Sequence, residues 1–236
     1  MNRQAVNPYL PSWEYIPDGE PHVFNGRVYV YGSHDRFNAP IFCVNDYVCW
    51  SAPVEDLSEW RYEGVIYRKK QDPKNPLGYH LLFAPDVCQG PDGRYYLYYA
   101  FDFLGIMSVA VCDTPAGEYK FLGHIHYADG TLWGRRRGDQ LPFDPGVLVD
   151  DDGRVWLYSG FYNAVPAILT GGHKLRCDGG TVLELEKDMV TIKTEPRVIF
   201  PKKGPGAFQG HEFFEASSIR KEGKTYIFVY SSRHNH

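Results

Sequence analysis

One seven-residue phrase recurs four times in this chain, and it limits the folds available. It reads Asn25-Gly26-Arg27-Val28-Tyr29-Val30-Tyr31, Asp92-Gly93-Arg94-Tyr95-Tyr96-Leu97-Tyr98 and Asp152-Gly153-Arg154-Val155-Trp156-Leu157-Tyr158. A looser copy follows as Glu222-Gly223-Lys224-Thr225-Tyr226-Ile227-Phe228. Each copy is a turn dipeptide feeding a run of aromatic and β-branched residues, the pattern of a hairpin turn entering a strand. The copies start 67, 60 and 70 residues apart. Strand pairs repeated at a long, loosely kept period point to radial repetition, and the β-propeller is the leading form of it. In such a ring, side chains near equivalent strands converge on a shared axis although they lie far apart in sequence.

The chain has 236 residues, enough for one large all-β domain, read as a single unit over 1–236. A content of 18 Tyr, 14 Phe, 24 Gly and 17 Pro suits many short strands joined by tight turns. The first repeat is expected through 28–31, 41–49 and 61–67, after an extended lead-in strand over 1–17. The second is expected from 83 to about 123 and the third from 143 to about 200. The fourth opens near Phe213. Three repeats and part of a fourth cannot close a five-bladed ring, which at this period needs roughly 300 residues. The expectation is therefore an incomplete propeller, C-terminally truncated or completed by a partner, and a homo-oligomer is one way to complete it.

The formal net charge of −4 argues against nucleic-acid binding, which wants a basic face. Arg135-Arg136-Arg137 reads as a solvated loop beside Asp139. No apolar stretch approaches the roughly 18 residues of a membrane span. The first residues, Met1 to Pro8, hold no apolar leader, and cytoplasmic residence is the expectation. The five cysteines (Cys43, Cys49, Cys88, Cys112, Cys177) have no close metal-type pairing and read as free thiols.

Three acids sit shortly before repeat strands: Asp18 in Ile16-Pro17-Asp18-Gly19-Glu20, Asp144 in Pro142-Phe143-Asp144-Pro145, and Glu215 in Phe213-Phe214-Glu215-Ala216. An acid wedged among Phe, Pro and small residues loses solvation, which raises its pKa and suits it to proton donation. Taken singly, each also reads as a turn-capping or strand-end acid.

The motifs around these acids resemble glycoside hydrolase family 43. Asp18 with Tyr31-Gly32-Ser33-His34-Asp35 resembles the family's opening segment, although this chain reads Asp18-Gly19 in place of Asp-Pro. Phe83-Ala84-Pro85-Asp86 resembles its Trp-Ala-Pro-Asp stretch, with Phe for Trp. Phe143-Asp144-Pro145 with Asp150-Asp151-Asp152-Gly153, and Glu215-Ala216-Ser217 with the fourth repeat, resemble the segments carrying its other two carboxylates. The resemblance spans nearly the whole chain in order. It implies an all-β fold of the five-bladed propeller type and an inverting hydrolase of β-xylosidic or α-L-arabinofuranosidic bonds. Asp18 would be the general base, with Glu20 a rival through Glu20-Pro21, and Glu215 the general acid, with Glu212 a rival. Asp144 would keep that acid protonated. Inversion implies base and acid carboxyls roughly 6.5–9.5 Å apart.

Aromatic side chains give a sugar its platform, and Trp50, Phe83, Phe161 and Tyr162 are the candidates, with Asp35 and Asp86 for hydroxyl binding. Asp86 reads first as a turn cap and second as a hydroxyl binder, and His34 reads as structural. The chemistry requires no cofactor, while the resemblance implies a structural calcium ion on the propeller axis. No metal site is assigned from spacing. His211-Glu212-Phe213-Phe214-Glu215 lacks the second His of a zinc helix, and Asp150-Asp151-Asp152-Gly153 lacks the spacing of a calcium loop. The expected partner is a neutral xylo- or arabino-oligosaccharide. A non-catalytic propeller fragment that binds carbohydrate or protein remains the alternative.

Overall fold

The computed structural model describes residues 8–204 and 208–232. Fourteen strands form four antiparallel sheets. The first sheet holds β1 (Glu20–Phe24), β2 (Arg27–Tyr31), β3 (Tyr47–Pro53) and β4 (Arg61–Tyr67) in sequential order. The second holds β5 (Asp86–Gln89), β6 (Tyr95–Ala100), β7 (Met107–Cys112) and β8 (Lys120–His124), and the third β9 (Gly146–Val149), β10 (Val155–Phe161), β11 (Gly179–Leu185) and β12 (Arg197–Pro201). The described part of the fourth is the hairpin of β13 (Phe213–Glu222) and β14 (Thr225–Ser232). These are three full propeller blades and the first hairpin of a fourth. A single 3-10 turn, Lys69–Gln71, is the only helical element among the described residues, and no helix there is long and apolar enough to cross a membrane.

The recurring phrase is the turn between the first and second strands of every blade. It therefore opens the second strand, and the axis-lining strand is the one before it. Blades two and three repeat even the turn chemistry. Gly90 N–H donates to Arg94 O as Asp150 N–H does to Arg154 O, both at 2.8 Å. The Asp92 and Asp152 carboxylates each accept the Arg N–H two residues on, both at 3.1 Å. Gly93 and Gly153 take the left-handed φ (84° and 78°) that closes such a turn cheaply.

Strand β6 explains where the core lies. All six of its residues are buried, because alternate side chains enter two different cores. Tyr95, Leu97 and Tyr99 pack with Tyr31, Tyr47 and Tyr67 of the first blade. Tyr96 and Tyr98 pack with Trp133, Leu157 and Leu183 towards the third. The core is thus a pair of interblade layers rich in tyrosine. The buried hydroxyls find acceptors at the blade edges, Tyr31 at Pro115 O (2.7 Å) and Tyr98 at Met189 O (2.9 Å).

Two expectations are corrected. The described part of the lead-in, 8–17, forms no strand; residues 1–7 lie outside the described residues. The strand expected over 41–49 begins only at Tyr47, because the preceding residues form a loop held by Asp35, whose Oδ1 accepts Cys43 N–H at 2.5 Å. All five cysteines are free, and only Cys112 is not fully buried.

Candidate active site

The first strands of the four blades (β1, β5, β9, β13) stand side by side around the axis, and one end of this array opens into a cavity of about 410 Å³. Four carboxylates line it: Asp18, Asp35, Asp144 and Glu215. Asp18 and Asp144 each sit two residues before an inner strand begins, at Glu20 and Gly146. Glu215 lies inside β13, and Asp35 comes from the loop after β2.

Local backbone turns bring them in. Asp18 (φ 55°), Asp144 (φ 47°) and Ala216 (φ 63°) hold left-handed conformations that cost non-glycine residues free energy, and such strain gathers at functional sites. Pairing of β13 with β14 slips on both sides of Glu215, so its side chain leaves the alternation of the strand. Phe143 is pinned by its N–H to Ser159 Oγ (2.8 Å) and by Gly160 N–H to its carbonyl (2.9 Å), which fixes the next residue, Asp144. A Cβ on Gly146 would lie 2.7 Å from Ser217 O, so only glycine lets β9 approach β13 this closely. That approach lets Ala216 N–H donate to Asp144 Oδ2 at 3.1 Å. Asp18 is steadied by the buried Ser33, whose hydroxyl donates to its Oδ2 at 2.9 Å.

Among the described residues that line the cavity there is no Lys, Arg or His. Burial, and then the charge of Glu215, hold the Asp144 carboxyl well above the usual range, against the opposing Ala216 N–H. Burial, and then Asp18, raise Glu215. Asp144 is the more deeply buried of the two, and the rise at Glu215 traces to desolvation and then to the charge of Asp18.

Six phenylalanines (42, 83, 103, 143, 161 and 214) make the wall. Phe103 stacks on Phe143 with centroids 5.5 Å apart and planes 6° apart, and Phe143 meets Phe161 at 4.7 Å. Of the expected binding residues, Asp35, Phe83 and Phe161 line the cavity, while Trp50 and Asp86 do not. Trp50 is a buried residue of β3 whose Nε1–H donates to Glu14 Oε2 at 2.8 Å. Tyr162 also stays off the wall, its ring 5.9 Å from Phe214. His34 is structural, its ring nitrogens 2.9 Å from Asp46 O and 3.0 Å from Glu14 Oε1. Sequence reasoning missed Phe42, Phe103, Phe143, Phe214 and the supporting Ser33. Phe143 and Phe214 had a signal, since each immediately precedes a carboxylate of the cavity.

Asp86 belongs to a different cluster, lower on the axis. Glu20, His22 and Asp86 bring one potential ligand atom each within 4.8 Å of one another. These atoms are already engaged. His22 Nε2 lies 2.6 Å from Asp86 Oδ1, and Asp86 accepts the N–H groups of Val147 (2.6 Å) and Val87 (2.7 Å). Glu20 Oε1 accepts from Ser218 Oγ (2.8 Å) and from the Arg220 guanidinium. Calcium takes about six to eight oxygen ligands. Two occupied carboxylates and an imidazole do not fit that shell, so no step is routed through an axial calcium.

The family profile described as glycosyl hydrolases family 43 matches residues 17–235. A xylosidase/arabinosidase of Thermoclostridium stercorarium is 61% identical over 98% of this chain, which spans 48% of that protein. Xylosidase/arabinosidase 43A of Humicola insolens is 31% identical over 94% of this chain and 74% of its own length. A β-xylosidase/α-arabinofuranosidase from a compost microbial metagenome, solved with xylotriose in a calcium-free form, superposes with a TM-score of 0.68. It is 26% identical, with 97% of this chain and 73% of that one covered. Repeated blades, converging carboxylates and a profile match over nearly the whole length agree, and the chain belongs to the glycosyl hydrolases of family 43.

Proposed function

We propose that this chain carries the hydrolytic site of a glycosidase acting on β-xylosides or α-L-arabinofuranosides with inversion at the anomeric carbon. The observation that carries the reading is a cavity where carboxylates from three blades meet with no cation among its described lining residues. A base and a neutral acid must coexist near neutral pH, and unequal burial with mutual repulsion is how a protein separates carboxyl pKa values.

In this reading Asp18, held by Ser33, takes the proton of the attacking water. Glu215, with its raised pKa, gives a proton to the leaving oxygen. Asp144 holds the bulge at Ala216 and so aims Glu215. The phenylalanine wall presents apolar faces to the C–H faces of a pentose, and Asp35 accepts a sugar hydroxyl. With no cation among its described lining residues, the cavity favours neutral sugars over uronic acids. The compost-metagenome β-xylosidase/α-arabinofuranosidase, solved in complex with xylotriose, supports a xylo-oligosaccharide as the substrate.

The test is release of p-nitrophenol from the β-D-xyloside and α-L-arabinofuranoside by the parent chain, Asp18→Ala and Glu215→Ala, with product anomers followed by NMR. Turnover that forms the inverted sugar and vanishes in both variants is expected. Turnover surviving both changes, or a retained anomer, would sink the assignment. Tight sugar binding without turnover would favour a binding propeller.

A further inference from the structure

The axial cluster is a charged group that the cavity does not use. It joins all four inner strands: Glu20 and His22 on β1, Asp86 on β5, the Val147 amide on β9, and Ser218 and Arg220 on β13. Its anions are two carboxylates, and its fixed cation is the Arg220 guanidinium, which also donates to Pro21 O at 2.7 Å. Glu20 follows Asp18 by two residues, and Arg220 follows Glu215 by five, so one ion pair ties the two strands that bear those carboxylates.

We propose that Arg220 is the resident axial cation of this propeller, supplying the charge that a metal ion would give to Glu20, His22 and Asp86. Through Glu20 it fixes the strand of Asp18 to the strand of Glu215. The second half rests on the hydrolase reading above and makes Arg220 and Glu20 positioning residues. An arginine suits the task because its planar fork reaches a carboxylate and a carbonyl together and never loses its proton. Burial and the nearby Asp86 already push the Glu20 carboxyl up, while Arg220 opposes them, so removing the guanidinium leaves two crowded acids beside an imidazole. One imidazole and two carboxylates suit Mn2+ or Zn2+ better than Ca2+.

The experiment melts the parent, Arg220→Ala, Arg220→Lys and the double variant Arg220→Ala with Glu20→Gln, each in EDTA and in millimolar MnCl2. The parent should melt at the same temperature in both. Arg220→Ala should fall by roughly 6–12 °C in EDTA and regain much of that with Mn2+. The double variant should regain little, and Arg220→Lys should stay near the parent and indifferent to metal. A parent that gains stability from Mn2+ overturns the proposal. So does an Arg220→Ala variant that ignores the metal, or one that fails to fold in either buffer.

The positioning half is read in the kinetics. In Arg220→Ala, kcat should drop roughly tenfold or more with KM within about twofold, and Arg220→Lys should restore most of it. An unchanged kcat overturns that half. If the parent hydrolyses no glycoside at all, it is the functional reading that fails, and the melting series still decides the axial cation.

Discussion

The cavity and the axial cluster are built from the same residue types on the same strands, yet they treat carboxylates in opposite ways. Glu20 and Asp86 each begin an inner strand and accept hydrogen bonds from neighbouring strands. Two residues earlier along those strands stand Asp18 and Ala84, which face the cavity, as Asp144 does two residues before Gly146. A shift of two positions thus separates an acid used for cohesion from an acid left without a cation. Partnered carboxylates hold blades together; those of the cavity face it with no cation among its described lining residues. The lesson is that the partner, not the acid, decides the role.

The sharpest way to break this comparison is in the cavity. Glu215→Gln and Asp18→Asn should each lower kcat by about 10²–10⁴-fold, as loss of general acid or base catalysis does, with melting unchanged or raised. On the axis the expectation inverts. Asp86→Ala, which strands His22 and the Val147 amide, should cost about 3 kcal/mol of stability, seen in denaturant titration, with KM barely altered.

The next effect depends on pH. Asp144 and Glu215 hold folded pKa values above their ordinary 3.8 and 4.5, so the folded chain keeps protons that the unfolded chain gives up. The stability tied to them is whole below those ordinary values and is lost as pH rises through the folded ones. Asp144→Asn should therefore melt above the parent near pH 7, with the gap closing towards pH 4, as calorimetry would record. A gap that widens on acidification would refute the assignment. Smaller still, Ser33→Ala should lower kcat by roughly tenfold by loosening Asp18, with KM unchanged. Phe42 is 56% exposed at the rim, and Phe42→Ala should raise KM by about threefold without moving the melting temperature.

Much of this was legible in the residues, for identifiable reasons. The turn phrase marked every blade because a hairpin needs a left-handed glycine and a strand needs β-branched or aromatic residues, and both leave local traces. Asp18, Asp144 and Glu215 stood out because Pro and Phe flank them. Trp50 was misread because β3 is buried on both faces almost throughout, which erases the alternation that tells an inward from an outward aromatic. Asp86 kept both a structural and a hydroxyl-binding reading because strand starts cannot be placed within two residues from sequence, and two residues are the difference between cavity and axis. Phe42 and Phe103 carried no signal, since loops whose course is set by tertiary contacts bring them to the wall.

The phenylalanine wall has a consequence for selectivity. Six benzyl side chains donate no hydrogen bond, so the wall senses a sugar only by its shape. Discrimination by fit to an apolar surface is worth about 1–3 kcal/mol, orders of magnitude short of what a donor left unsatisfied by the wrong substrate can impose. Any choice between two pentose ring forms would then fall to the polar groups beside the wall, Asp35 among them.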